Sequence, residues 1–340
     1  MKPLDPSPSS ARSLSGVVVI GRNEGERLRA CLESLQGQPW LVVYVDSGSS
    51  DGSVEVAKDR CSKVVELDPA SPMSAARARN EGAATLTALE PGLAFVQFLD
   101  GDCTMQPGWL DAAESALVAD SNCAVVIGQL DERHPNASVY NRLCSLEWAS
   151  QPGELQNYGS LGGIMMARLK VLEELGGFRP ELIAGEDSEF GVRVGLAGHT
   201  AKKIAKPMAI HDADIHQFRQ WWLRSVRAGH AIGQRAWLHA AGPMRDCARE
   251  RRSALLWGLA LPLAVVLTAW PTGGWSLMLL GGYAVLGFRI HRYRRRRGDS
   301  TSDSWLYTRY TLLAKFAEAL GLLKFYWNKL RGRFHIIEYK

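Results

Sequence analysis

The sequence predicts an α/β fold: a mostly parallel sheet with helices on both faces, followed by a C-terminal helical hairpin and an amphipathic helix. Three observations predict it. Short β-branched or apolar runs alternate with helical segments through most of the 340 residues. One run, Ala94–Cys103, stops abruptly at Asp100-Gly101-Asp102, the kind of strand end where α/β sheets bind ligands. After Ala254 the apolar residues crowd together between two arginine clusters, a membrane pattern.

Met1 to Ser15 is rich in Pro and Ser and has no apolar core, so it reads as a disordered leader (1–15) and not a signal peptide. A catalytic domain is expected over 16–235. Val17-Val18-Val19-Ile20 is a buried strand. It breaks at Gly21-Arg22-Asn23-Glu24, and a helix follows with Leu28, Cys31, Leu32 and Leu35 on one face. Leu41–Val45 is the second strand, ending in the turn Asp46-Ser47-Gly48-Ser49-Ser50-Asp51-Gly52. Val64–Leu67 is a third strand and Ser74–Ala88 an Ala-rich helix carrying Arg77, Arg79 and Asn80. After the 94–103 strand a helix opens near Pro107, which suits a first-turn position. A strand at 124–130, a helix near Val139–Ala149, a strand at Gly162–Ala167 and a short helix at Leu169–Leu175 follow. Gly185-Glu186-Asp187 opens the helix Ser188–Leu196, its acids favourably placed against the N-terminal dipole. Lys203–Ile210 returns as a strand ending at His211.

Composition narrows the partners. The net charge is +5, and the surplus sits at Arg245, Arg249, Arg251 and Arg252, then Arg289, Arg292 and Arg294–Arg297. No helix-turn-helix, zinc-finger or RNP-like pattern accompanies these runs, so nucleic acid is not the expected partner. The six cysteines show no CxxC pair and read as reduced core residues, Cys103 included. Asp100 and Asp102 are like charges one residue apart, whose mutual repulsion a cation between them would offset. A hard divalent metal is the natural third party.

These pieces together resemble the glycosyltransferase family 2 catalytic domain, of GT-A (Rossmann-like) fold. The resemblance is carried, in order, by Arg22-Asn23-Glu24, the Asp46–Asp51 turn and Ala78-Arg79-Asn80-Glu81-Gly82. Leu99-Asp100-Gly101-Asp102, Gly176-Gly177-Phe178, Gly185-Glu186-Asp187 with Arg193, and His211 complete it. It runs from Val17 to about Gly229. Each piece is weak alone; their order and spacing are not.

The resemblance implies a role for each residue. Asp102 ligates Mn²⁺ or Mg²⁺, Asp100 contacts ribose or shares the metal, and His211 is a further ligand, with His216 as its competitor. Asp46 accepts from the base, which favours a UDP-sugar. Arg79 faces the diphosphate or base edge, and Asn23 and Glu24 offer a polar edge to the nucleotide. Asp187 is the general base for the acceptor hydroxyl, with Glu186 orienting the acceptor or exchanging roles with it. A single displacement inverts the anomeric centre. Arg193 is expected to be a structural ion-pair partner. Gln217-Phe218-Arg219-Gln220-Trp221-Trp222 departs from the Q-x-x-R-W signature of processive synthases, so a non-processive enzyme is expected.

Ala254–Pro271 is uncharged over about 18 residues, roughly 27 Å as helix, against a ~30 Å hydrocarbon core. Trp275–Phe288 is again apolar but shorter. With arginines on both outer flanks, 253–290 is expected to be a two-helix membrane hairpin, with re-entry the variant left open. Positive-inside bias puts the catalytic domain on the cytoplasmic side of the inner (plasma) membrane. Residues 304–332 read as an amphipathic interfacial helix or a partner helix against the catalytic domain. The acceptor expected from this attachment is lipid-linked or a cell-envelope saccharide. Two rivals stand beside this reading. A sugar-nucleotide nucleotidyltransferase needs a G-x-G-T-R-type loop that Gly21-Arg22-Asn23-Glu24 is not. An inactive membrane scaffold sits poorly with intact Asp100, Asp102, Asp187 and His211.

Overall fold

The computed structural model describes residues 14–37 and 40–332. Residues 1–13, most of the expected leader, lie outside them. Ser15 does not belong to a leader: it is 1% exposed and opens the first strand.

The expected alternation is present as β1 (Ser15–Gly21), α1 (Glu26–Glu33), β2 (Leu41–Asp46), α2 (Ser53–Lys58), β3 (Lys63–Glu66), α3 (Ala75–Leu89) and β4 (Phe95–Asp100). Then come β5 (Cys103–Met105), α4 (Trp109–Ala119), β6 (Cys123–Glu132), α5 (Val139–Trp148), β7 (Gly153–Glu154), β8 (Met165–Arg168) and α6 (Leu169–Glu174). The domain closes with α7 (Glu186–Leu196), β9 (Thr200–His211) and α8 (Phe218–His239). The nine strands form one sheet in the order β3-β2-β1-β4-β8-β6-β9-β5, with β7 pairing β9.

The sheet is mixed rather than mostly parallel. β3, β2, β1 and β4 run parallel, but β8 is antiparallel to both β4 and β6, and β5 is antiparallel to β9. The expected 94–103 strand is also two strands. Gly101 and Asp102 break it, and β5 crosses to the far edge to pair with β9.

The β1 run is apolar at every position because both of its faces are covered. Val17 and Val19 pack with Leu28, Leu32 and Leu99 on one side. Val18 and Ile20 pack with Ala78, Ala83 and Phe98 on the other. Gly82 sets how closely α3 lies on this face, since a Cβ there would stand 2.3 Å from Val18 Cγ1. Polar caps fix the helix starts: Ser74 accepts from the Arg77 N–H, and Ser138 from those of Tyr140 and Asn141.

The C-terminal part departs from expectation in the second limb of its apolar hairpin. One described helix, Ala248–Thr268, is long and apolar enough to cross a membrane. It comprises α9 (Ala248–Leu255), a π-helical turn at Leu256–Ala260 and α10 (Leu261–Thr268). The second limb of the expected hairpin is not such a helix. It starts as a 3₁₀ turn, Trp275–Leu280, before α11 (Gly281–Arg296), whose last turns carry the arginines.

Of the two alternatives left open for the last helix, α12 (Thr301–Arg331) takes the partner-helix one and packs along α8. Glycines make the approach possible. A Cβ on Gly229 would lie 2.2 Å from the Glu318 carbonyl oxygen, and one on Gly321 2.0 Å from that of Val226. The boundary placed at residue 235 therefore falls inside α8, whose C-terminal turns belong to this packing.

Candidate active site

The lips of β1 and β4, the corner before α7 and the end of β9 open on one cleft of about 1070 Å³. Asn23, Glu24, Arg79, Asp100, Asp102, Glu186, Asp187 and His211 all line it. Asp46 does not.

Antiparallel pairing of β5 with β9 sets Cys103 opposite His211, which brings Asp102 beside the imidazole. His211 Nε2 lies 3.2 Å from Asp102 Oδ2. Two ligands in neighbouring octahedral positions at ~2.1 Å from an ion are about 3 Å apart, so this spacing fits one hard divalent cation. Carboxylate oxygen and imidazole nitrogen also suit Mn²⁺. The Cys103 thiol is within 4.8 Å of both groups, but burial and the two aspartates push its pKa well up, which keeps it protonated and a poor ligand. The Trp148 ring stacks on His211 at 4.6 Å and 12° between planes, fixing the imidazole's orientation. His216 instead pairs with Asp214 at 3.1 Å on the surface and does not line the cleft.

Arg79 is buried and bridges two acids. Its Nη2 lies 2.9 Å from Asp100 Oδ1, and its Nη1 donates to Glu186 Oε1. It therefore ties β4 to α7, and its guanidinium is engaged by protein carboxylates rather than held open for a diphosphate. Glu186 is buried in this pair, whereas Asp187 is half-buried at the cleft wall. Burial, then the neighbouring Glu186 charge, pushes the Asp187 carboxyl up to about 6. That value suits a base working near neutral pH.

The nucleotide-side residues divide. Asn23 sits at φ +55°, and its Oδ1 accepts from the Ser50 N–H at 2.8 Å, joining the β1 tip to the serine-rich turn. Glu24 pairs with Arg27 at 3.0 Å. Asp46 is only 2% exposed and is engaged in its own turn. It accepts from the Tyr44 hydroxyl at 3.0 Å, the Gly48 and Ser49 N–H groups at 2.9 and 2.7 Å, and the Ser49 hydroxyl. The geometry gives it the role of turn organiser.

Elsewhere the quoted motifs interlock. Asn80 donates to the Phe178 carbonyl at 2.7 Å and accepts from its N–H at 2.8 Å, where Gly176 and Gly177 turn at φ +73° and +70°. Arg193 is a structural partner, 2.9 Å from the buried Glu189.

Residues 16–171 match the family model described as Glycosyl transferase family 2. Over those residues the chain is similar to the family 2 glycosyltransferases. It is similar to the pre-mycofactocin glycosyltransferase of Mycobacterium tuberculosis, 26% identical over 337 residues, covering 96% of this chain and 67% of that one. It is also similar to glycosyltransferase AglE of Haloferax volcanii, 25% identical over 209 residues, 58% of this chain and 66% of that one. The fold is that of mannosyltransferase PcManGT from Pyrobaculum calidifontis, solved with GDP-Man and Mn²⁺. The TM-score is 0.63 at 20% identity over 96% of this chain and 91% of that one. S. aureus TarS 1–349 gives a TM-score of 0.52 at 15% identity over 94% and 92% of the two chains. The chain is thus a transferase-class enzyme with a GT-A-like sheet.

The candidate cleft also holds residues that sequence reasoning missed. The wall facing the sheet comes from α8 and α12. Trp221 and Arg227 belong to a basic–aromatic run visible in the sequence, and Tyr310 and Lys315 to the amphipathic segment. Thr311 and Glu318, which also line the cleft, were not singled out. Arg27 reaches from α1 to Asp214 at 3.0 Å, and both line the cleft. Glu132, buried at the end of β6, accepts from the Ala213 N–H and Asn141 Nδ2, both at 3.1 Å, and so holds the segment after His211. Trp148 and Arg235 were also unremarked.

Proposed function

We propose that the chain moves a sugar from a nucleotide-sugar donor to an acceptor hydroxyl in a single, metal-assisted displacement that inverts the anomeric carbon. The observation that carries this reading is that the Asp102–His211 pair and Asp187 open on the same cleft, although they lie far apart in sequence. Asp102 and His211 would hold the cation, Mn²⁺ or Mg²⁺. Such an ion offsets the charge that grows on the leaving diphosphate. Asp187 takes the acceptor proton as the hydroxyl oxygen bonds to the anomeric carbon and the bond to the diphosphate breaks. Glu186, fixed by Arg79, orients the Asp187 corner, which separates the roles of the two acids.

A UDP-sugar was favoured on the strength of Asp46, whose carboxylate is taken up by its own turn. PcManGT, similar in fold, was solved with GDP-Man. UDP- and GDP-sugars therefore belong side by side in the donor screen. The apolar helix Ala248–Thr268 and its arginine flanks support a cytoplasmic-face, inner-membrane enzyme that adds one residue to a lipid-linked or envelope saccharide acceptor.

The test is a donor screen on purified protein with Mn²⁺ and membrane extract, reading nucleoside diphosphate release and the mass of glycosylated lipid. One class of donor should be consumed with a matching mass gain. No release from any donor, with or without extract, would leave the inactive scaffold as the better reading.

A further inference from the structure

Arg235 stands between two cavities. It lies on α8, 8% exposed. On one side it lines the main cleft with Asp187; on the other it lines a smaller cavity of about 460 Å³ with Asp246. Its Nε and Nη2 donate to Asp246 Oδ2 and Oδ1 at 3.0 and 2.7 Å, a bidentate grip. Nη2 also donates to the Gly159 carbonyl at 3.0 Å. The stem packs against Gly185, the left-handed residue directly before Glu186 and Asp187. A Cβ built on Gly185 would lie 3.3 Å from Arg235 Cδ and 3.9 Å from Nη1. Glycine meets two demands there, φ +74° and the close approach of the arginine.

We infer that Arg235 is a positioning residue for the acceptor base: anchored by Asp246, it fixes the Gly185 corner and offsets the charge that Asp187 carries once deprotonated. This rests on the assignment of Asp187 as that base. The charged groups facing Asp187 are Glu186 on α7, Arg79 on α3 and Arg235 on α8. Behind the arginines stand Asp100, Asp246 and Cys247, and burial pushes the Cys247 thiol up to about 12, so it stays neutral. Arg79 is shared between Asp100 and Glu186. Arg235 is thus the second cation at the base, and its anchor lies outside the cleft.

The experiment compares Arg235→Met, Arg235→Lys and Asp246→Asn with the wild type and Asp187→Asn. It reads kcat and KM separately from pH 5 to 9, together with melting temperature. Arg235→Met should raise the midpoint of the acid limb by about one pH unit and lower kcat near pH 6.5 about tenfold. Arg235→Lys should keep the midpoint but lose kcat, because an ammonium cannot span Asp246 and Gly159 together. Asp246→Asn, which loosens the anchor but leaves the Arg235 charge less neutralised, should lower kcat with the midpoint at or below the wild-type value. A folded Arg235→Met with wild-type midpoint and kcat overturns the inference. If that variant does not fold, wild-type behaviour in both Arg235→Lys and Asp246→Asn overturns it. Normal turnover in Asp187→Asn would remove the base assignment itself, a separable result.

Discussion

His211 Nε2 and Asp102 Oδ2, 109 residues apart in the chain, stand 3.2 Å apart because β5 leaves its parent strand to pair with β9. This contact serves as a hydrogen bond or as two adjacent corners of one cation's coordination. Mn²⁺ should raise the melting temperature of the wild type and stimulate turnover, and EDTA should reverse both. His211→Ala and Asp102→Ala should each abolish the thermal shift and lower turnover by a hundredfold or more, on the order of 3 kcal/mol in the barrier. A full Mn²⁺ shift in the His211 variant would remove the imidazole from the site.

As the proposed base, Asp187 should make stability and activity run in opposite directions with pH. Its carboxyl is pushed up to about 6, so the folded state favours the neutral form. The stability this lends is fully present below about pH 4, where the unfolded carboxyl is also protonated, and is lost as pH rises through about 6. Turnover should rise over the same interval as the base ionises. Asp187→Asn should therefore melt a few degrees higher than wild type at pH 7.5 and level with it at pH 4. Its kcat should be ~10²–10⁴-fold lower. Melting curves at the two pH values and single-turnover rates check both halves. A variant that melts lower at pH 7.5 would contradict the buried-carboxylate picture.

The strand-end acids could be read from sequence because a buried strand's C-terminal lip is fixed by its apolar run, as at Leu99-Asp100 and Ile20. The Glu186–Asp187 corner was legible for a similar reason, since Gly185 marks the turn. The separate strand after the break at Asp100, β5, was not, because nothing in Cys103–Met105 shows that its partner is β9. The full engagement of Asp46 was not legible because its partners are mostly backbone N–H groups and near neighbours, which a sequence does not point toward it. The role of α12 stayed ambiguous because an apolar stripe looks the same whether it meets lipid or α8. The feature that decides it is a pair of glycines, Gly229 and Gly321, one on each helix.

Those glycines give a direct test of α12 as a wall of the site. A methyl at Gly321 would press within 2.0 Å of the Val226 carbonyl oxygen, and one at Gly229 within 2.2 Å of that of Glu318. Neither backbone can yield without separating the helices. Gly321→Ala and Gly229→Ala should each cost about 1–3 kcal/mol by overpacking. Because Tyr310, Lys315 and Glu318 ride on α12 into the cleft, acceptor KM should rise in the surviving folded fraction. Unchanged melting and KM in both variants would detach α12 from the catalytic unit.

The turn between α10 and α11 carries the final prediction. Leu267 is 72% exposed, Trp270 94%, Trp275 74% and Met278 71%, a cluster of large apolar side chains. Arg289, Arg292, Arg295 and Arg296 follow, exposed, towards the other end of α11, while Arg294 is buried against Tyr307. A soluble surface rarely leaves so much contiguous apolar area open, and tryptophans favour the bilayer interface while arginines favour anionic headgroups. The protein should float with vesicles containing anionic phospholipid. Trp270→Glu combined with Leu267→Glu should release it, since each charge placed in hydrocarbon costs roughly 2.5–3.5 kcal/mol. The released variant should keep its kcat for donor hydrolysis in solution, because none of these side chains lines the cleft. Vesicle flotation of both proteins, with hydrolysis measured in parallel, checks the pair of outcomes; wild-type protein that stays in the soluble fraction would make this turn a docking face for something other than lipid.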